Sequence, residues 1–185
     1  TDPSIHLSPE EIRDAIDQLD NASDTTGKSP IAIHPGSRME LKRWPVERFV
    51  SLIKRINDED LGPVILLEAP GNEALTRVIS DQVKIAADFA GKLSIRQMAA
   101  VLHHCRCLVC HDSAPMHIAA AVGCRVVAMF GPSRPIETAP CGAGHVVLEA
   151  ECKLKDRCDE NVCLAKGAPG CMDRITVDQV FQALV

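Results

Sequence analysis

The chain has 185 residues, 46% of them hydrophobic and 24% charged, with a formal net charge of −5. These are the proportions of one folded domain and exclude a disordered chain. The acidic balance excludes a broad nucleic-acid interface, which needs a basic face, and no apolar run reaches the roughly 18–20 residues of a membrane span.

The first elements follow from capping chemistry. In "SPEE" (8–11), Ser8 caps a helix, Pro9 suits its first position and Glu11 completes a capping box. Ile12, Ile16 and Leu19 mark one face of that helix. A polar, turn-rich stretch, "NASDTTGKSP" (21–30), comes next. Residues 1–30 therefore read as a linker helix and loop outside the main core. No signal peptide precedes them, and the first residue is Thr. The expectation is a trimmed start or a fragment of a longer chain.

From residue 31 strands and helices alternate. "IAIH" (31–34) is a strand, and "PVERFVSLIKRIN" (45–57) a helix with Phe49, Leu52, Ile53 and Ile56 on one face. "PVILLE" (63–68) is a strand, "EALTRVISDQV" (73–83) a helix and "IAAD" (85–88) a short strand. Ser94 and Gln97 cap a helix to about residue 104, with Ile95, Met98 and Leu102 inward. "CLVCH" (107–111) is a strand, "PMHIAAAVG" (115–123) a helix, and "RVVAMFG" (125–131) and "HVVLEA" (145–150) are strands. Thr176 and Gln179 cap a last helix carrying Val177, Val180, Phe181 and Leu184. The alternation predicts an α/β fold with a doubly wound parallel sheet. The scarcity of aromatics, 3% with a single Trp, leaves a core of Ile, Val, Leu and Ala that suits such a sheet.

Nine cysteines without a secretory signal do not read as a disulfide framework. Cys105, Cys107 and Cys110 surround a predicted strand whose geometry spreads them over both faces, so they read as small core hydrophobes. Cys152, Cys158, Cys163 and Cys171 lie in a polar segment, but their spacings lack paired C-x2-C knuckles. No metal and no cofactor are expected.

In a doubly wound sheet, ligands bind where loops leave the carboxyl ends of the strands. Three polar loops fall there. "HPGSRMELKRWP" (34–45) offers Gly36 for close backbone approach to an anion, with Ser37, Arg38 and Lys42 as donors. "HDSAPMH" (111–117) places Asp112 and Ser113 at a strand end, Pro115 at a helix start and His117 in the first turn, facing the same cleft. "GPSRP" (131–135) is the third. A lone histidine at a helix start more often caps or packs than catalyses, and neither G-x-G-x-x-G nor a P-loop is present. Together the loops point to an anion or nucleotide site.

"HPGSRMELKRWPVERF", "HDSAPMHIAAAVGCRVVAMFGPSRP" and "GC" leading into "MDRITVDQV" resemble the glycosyltransferase family 9 heptosyltransferases, in the same order and at similar distances. The resemblance covers nearly all of residues 31–185 and is to the C-terminal half. It implies a three-layer Rossmann-like domain of a GT-B enzyme, binding ADP-heptose or a related nucleotide sugar. Its alternatives are a donor domain for another sugar, or a stand-alone nucleotide-binding module. By resemblance, Ser37 and Lys42 contact phosphates, with Lys42 stabilising the departing diphosphate. Glu73 lies near the nucleoside, and Asp112, Ser113 and His117 hold diphosphate and sugar. Arg38, Leu93 and Ala114 complete the donor-binding set. Ala114 stands where the family usually has Gly. The resemblance also implies an inverting, metal-independent enzyme of lipopolysaccharide inner-core synthesis at the cytoplasmic face of the inner membrane. The core-lipid acceptor and the catalytic carboxylate would belong to an N-terminal domain, so no catalytic base is expected in this chain, which alone would be inactive.

Overall fold

The computed structural model describes residues 3–20, 27–152 and 170–185. Among these residues six strands form one all-parallel sheet in the order β3-β2-β1-β4-β5-β6. The strands are β1 (Ile31–Ile33), β2 (Val64–Leu66), β3 (Ala87–Asp88), β4 (Cys107–His111), β5 (Arg125–Phe130) and β6 (Val146–Glu149). The helices are α1 (Pro9–Asp20), α2 (Val46–Asp58), α3 (Glu73–Ser80), α4 (Ile95–His104), α5 (Ala114–Ala121), α6 (Pro135–Thr138) and α7 (Val177–Leu184).

The strand period of two explains the three layers. Ile31, Ile33, Val64, Leu66, Cys107 and Val109 point to one face, where α2, α3 and α7 supply Phe49, Leu52, Ile53, Ile79 and Phe181. Ala32, Ile65, Leu108, Cys110 and Val126 point to the other, against α1, α4 and α5. Because both faces are covered, β1, β2 and β4 are buried along their whole length, as the unbroken apolar runs implied. The cysteines behave as expected. Cys107 packs on the first face and Cys110 on the second, and burial pushes the Cys107 thiol up to about 11.

The capping boxes at Ser94–Gln97 and Thr176–Gln179 are both formed. So is that of α1, where Ser8 Oγ accepts from the Glu11 amide at 3.2 Å and Glu11 Oε2 from the Ser8 amide at 2.7 Å. Two side-chain readings need correction. Helix α1 does not stand outside the core: Ala15 and Leu19 are buried in the second face, while Ile16 is 39% exposed. The small Ala15 lets α1 lie close on α4, and the pair is clasped by Arg96, which donates to both Glu11 oxygens at 2.6 and 2.7 Å. Ile95, expected inward, is 69% exposed, because the first turn of α4 overhangs a cavity while Ala99–Leu102 fill the core. Of the polar connector, residues 21–26 lie outside the described residues.

Candidate functional site

The crevice at the carboxyl edge lies where the strand order turns, beside β1 and β4. Its first wall is the loop after β1, and three contacts fix that loop's shape. Arg43 Nε donates to the Ser37 carbonyl at 2.8 Å. Trp44, buried, donates through Nε1 to the Ile175 carbonyl at 2.9 Å and stands edge-on to Phe49. His111 is the third. Its Nε2 accepts from the Trp44 amide at 2.8 Å, which leaves the proton on Nδ1, 3.1 Å from the Gly36 carbonyl. The ring therefore ties the start of the loop to its end. Burial lowers its pKa to about 4, against a weaker opposing effect of the Gly36 bond, so at neutral pH it is an uncharged clamp.

The second wall is the β4–α5 turn. Lys42, in a short 3₁₀ turn (Glu40–Lys42), donates to Asp112 Oδ2 at 2.8 Å across seventy residues of sequence. Both side chains are nearly buried, 12% and 10% exposed. Burial, the largest single effect, pushes the Asp112 carboxyl up, but the bond and charge of Lys42 together with Ser133 and Thr138 outweigh it and the group sits below its ordinary range. Ser113 holds the N-cap position of α5 in extended backbone, with its hydroxyl donating to the His111 carbonyl at 3.2 Å, and Ala114 opens the helix with Pro115 behind it. The family usually has glycine at the Ala114 position, yet the backbone there is not left-handed. Alanine fits without backbone strain.

Between these walls lies a cavity of about 600 Å³. Ser37, Arg38, Lys42, Asp112 and Ser113 are among its polar lining residues, and Ala114, Leu93, Ile95, Met98 and Ile118 among its apolar ones. Seven of the nine residues singled out from the sequence thus share one cavity. Glu73 and His117 are not in its wall. His117, expected to face the cleft, is exposed on α5 and does not line the cavity. Glu73 is half-buried, accepts from the Gly71 amide at 2.9 Å and is packed against Gly91. The loop 131–135 lies at the same edge but adds no wall.

The floor holds residues that sequence reasoning did not select. Glu68, two residues beyond β2, has a side chain only 2% exposed. Its Oε1 accepts from the Ala69 amide at 2.8 Å and faces His34 Nε2 at 3.4 Å. Among the described residues its Oε2 has no hydrogen-bond partner. Burial pushes this carboxyl up, yet the bonds from His34, Ala69 and Asn72 prevail and hold it below the ordinary carboxylate range. Gly36 passes directly over it: a Cβ there would lie 2.5 Å from Glu68 Cδ. The signal in the sequence was a lone acid closing the apolar run "PVILLE".

Among the described residues no three His, Cys, Asp or Glu side chains are grouped to hold a metal, and no helix is long and apolar enough to cross a membrane. Cys158 and Cys163 lie outside the described residues.

Residues 1–167 match the family model described as glycosyltransferase family 9 (heptosyltransferase). The chain is 30% identical over 143 residues to lipopolysaccharide heptosyltransferase 2 of Escherichia coli K12, an alignment covering 75% of this chain and 40% of that protein. Two solved structures share the fold. A family 9 glycosyl transferase from Veillonella parvula superposes with a TM-score of 0.86 at 24% identity, over 97% of this chain and 52% of the other. The E. coli ADP-heptose lps heptosyltransferase II gives 0.78 at 24% identity, over 98% and 52%. The chain therefore spans about half, or less, of the length of the proteins it matches.

Proposed function

The chain belongs to glycosyltransferase family 9, and from that footing we propose that it forms the donor-binding half of a GT-B heptosyltransferase. In this reading residues 31–185 bind ADP-heptose or a related nucleotide sugar, and residues 1–30 carry the linker helix. One observation carries the proposal: a single cavity at the turning point of the sheet is lined both by charged and hydrogen-bonding side chains and by aliphatic ones. A nucleoside diphosphate calls for both, with an anionic end and a planar base.

The chemistry follows from that placement. An acceptor hydroxyl attacks the anomeric carbon as the bond from that carbon to the diphosphate oxygen breaks, and the electron pair leaves on the diphosphate. Lys42, Arg38 and the start of α5 offset the charge that develops there, a task for which a metal ion is not required. Ser37 and Ser113 supply hydroxyl donors. Asp112 positions Lys42. The base that takes the acceptor proton, and the lipopolysaccharide core acceptor itself, are assigned to a partner domain beyond this chain, acting at the cytoplasmic face of the inner membrane. This chain alone is expected to transfer no sugar.

Calorimetric titration with ADP, UDP, GDP and ADP-heptose, with and without EDTA, tests the reading. The expected result is binding of ADP and ADP-heptose, weaker binding of UDP and GDP, and no effect of EDTA. No binding of any nucleoside diphosphate would overturn it, and loss of ADP binding in EDTA would overturn its metal-free form.

A further inference from the structure

We propose that the segment Cys171–Ile175 is a strut that sets the phosphate side of the cavity, with Trp44, Met172 and Gly131 as positioning residues that act through Lys42. This rests on the donor-site reading above and deepens it, since none of these three residues, nor any of the strut, lines the cavity.

The loop that carries Ser37, Arg38 and Lys42 has little regular structure beyond the 3₁₀ turn Glu40–Lys42, so its shape depends on what it is tied to. Trp44, two residues after Lys42, is tied at both ends. Its amide donates to His111 Nε2 at 2.8 Å, and its Nε1 donates to the Ile175 carbonyl at 2.9 Å. Arg48, in the first turns of α2, donates to the same carbonyl. One buried backbone oxygen near the end of the chain thus receives an indole and a guanidinium from the region that leads out of the phosphate loop. A charged donor makes this a stronger anchor than an ordinary carbonyl bond.

Ile175 is itself held in place. It follows a short 3₁₀ turn (Cys171–Arg174), with its amide bonded to the Met172 carbonyl at 3.3 Å. Thr176 then caps α7, whose Val180 and Phe181 share the first core face with Trp44 and Phe49. The turn also rests on Gly131, just past β5. A Cβ there would lie 2.5 Å from Met172 Sδ and 2.9 Å from Cys171 Sγ. The backbone of Gly131 is not left-handed, so its conformation does not demand glycine; the contact with the turn does. Met172 and Ile175 are 3% and 2% exposed, and a close-packed interior leaves the turn no space to withdraw into. The path from the end of β5 through the turn and the Ile175 carbonyl to Trp44 is therefore continuous. Displacing it moves Lys42 off the geometry that a charged hydrogen bond to phosphate requires.

Calorimetry with ADP and with adenosine on the unmodified chain, Trp44→Phe and Gly131→Ala tests the strut. Trp44→Phe keeps an aromatic ring but removes the donor to Ile175. Gly131→Ala pushes on Met172 and Cys171 from the other end. A charged hydrogen bond corresponds to about ten- to a hundredfold in affinity, so misplacing it should weaken ADP binding at least about fivefold in each variant, with adenosine changed by less than about threefold. In a Lys42→Ala background the same substitutions should cost less than about threefold further, because the contact they act through is gone. Ile56→Val, a core change near the far end of α2, should leave ADP affinity as it is. Unchanged ADP affinity in either folded variant overturns the strut. So do equal losses for ADP and adenosine, losses that add in full to that of Lys42→Ala, or an equal loss in Ile56→Val, which would mean general loosening. Failure of the unmodified chain to bind ADP overturns the donor-site reading instead, which separates the two failures.

Discussion

Replacing His111 by Phe tests how the nucleotide loop is held. Phenylalanine keeps a ring at the same place, including the edge-on packing against Phe49 at 5.7 Å between centroids. It removes both polar contacts, leaving the Trp44 amide and the Gly36 carbonyl without the ring nitrogens that now serve them. Each buried backbone group stranded in this way costs about 1–3 kcal/mol, so the variant, with two of them, should be less stable by about 2–6 kcal/mol near neutral pH. The second signature is its pH dependence. The histidine pKa is held at about 4 in the folded protein, below the 6.5 of the free group, so the unfolded chain takes up the proton first. Stability of the parent is complete above about pH 6.5, declines as pH falls through the window between the two values, and levels off below about pH 4. At pH 4.5 that decline amounts to about 2–3 kcal/mol, and a phenylalanine variant does not suffer it. Urea unfolding of both proteins at pH 7.5 and 4.5 should show the gap narrowing by that amount. A variant as stable as the parent at pH 7.5, or two proteins whose stabilities run parallel with pH, would refute the clamp.

Three further outcomes follow from contacts elsewhere. Gly36→Ala drives a methyl group into the Glu68 carboxylate, which is buried and bonded, and should destabilise by about 1–3 kcal/mol in chemical unfolding; unchanged stability would contradict the close approach. Lys42→Ala should weaken ADP binding by about ten- to a hundredfold while adenosine binding changes by less than about threefold, and equal ADP affinity in calorimetry would remove Lys42 from the phosphate site. Glu11, drawn down to about 2 by Arg96, contributes stability that is present above its ordinary 4.5 and lost as pH falls through its folded value. Thermal melts should therefore show the parent's advantage over Glu11→Gln shrinking between pH 4.5 and about 2, and a constant advantage would discount the clasp between α1 and α4.

The sheet was legible in the sequence because its strands are buried on both faces and so appear as unbroken apolar runs between turn signals. The helix starts at Ser94 and Thr176 were legible for a different reason, since a capping box is a local pattern that needs no tertiary context. Faces were harder. The 3.6 period favours large side chains, and so it selected Ile16 over Ala15, although close packing of two helices puts the smaller residue inside. Ile95 was misjudged because an apolar residue at a cavity mouth has the same sequence signal as one in the core. In the site, Ser37, Lys42 and Asp112 stood out as polar residues just past predicted strands. The pairing of Lys42 with Asp112 did not, because nothing local records a contact between residues seventy apart. His111 shows the converse: it belongs to the most conspicuous polar cluster in the chain, yet it is wholly buried and serves the backbone of the loop.

The two basic residues in the cavity wall should answer to salt in opposite ways. Lys42 is 12% exposed and bonded to Asp112, so its charge is largely offset within the protein and shielded from ions in solution. Arg38 is exposed at the opening of the same cavity. An exposed charge acts on an approaching diphosphate through solvent, where the screening length falls from about 10 Å at 0.1 M salt to about 3 Å at 1 M. Lys42 acts at contact distance in a poorly hydrated site, where screening has little hold. Arg38→Ala should therefore lower ADP affinity several-fold at low ionic strength, and the deficit should fade towards 1 M sodium chloride. The Lys42→Ala deficit should persist across the same range. Calorimetry at 0.02, 0.1 and 1 M salt separates the two. If the Arg38 deficit survives high salt undiminished, Arg38 makes a desolvated contact with the phosphates, and the division of labour drawn here between a steering charge and a binding charge is wrong.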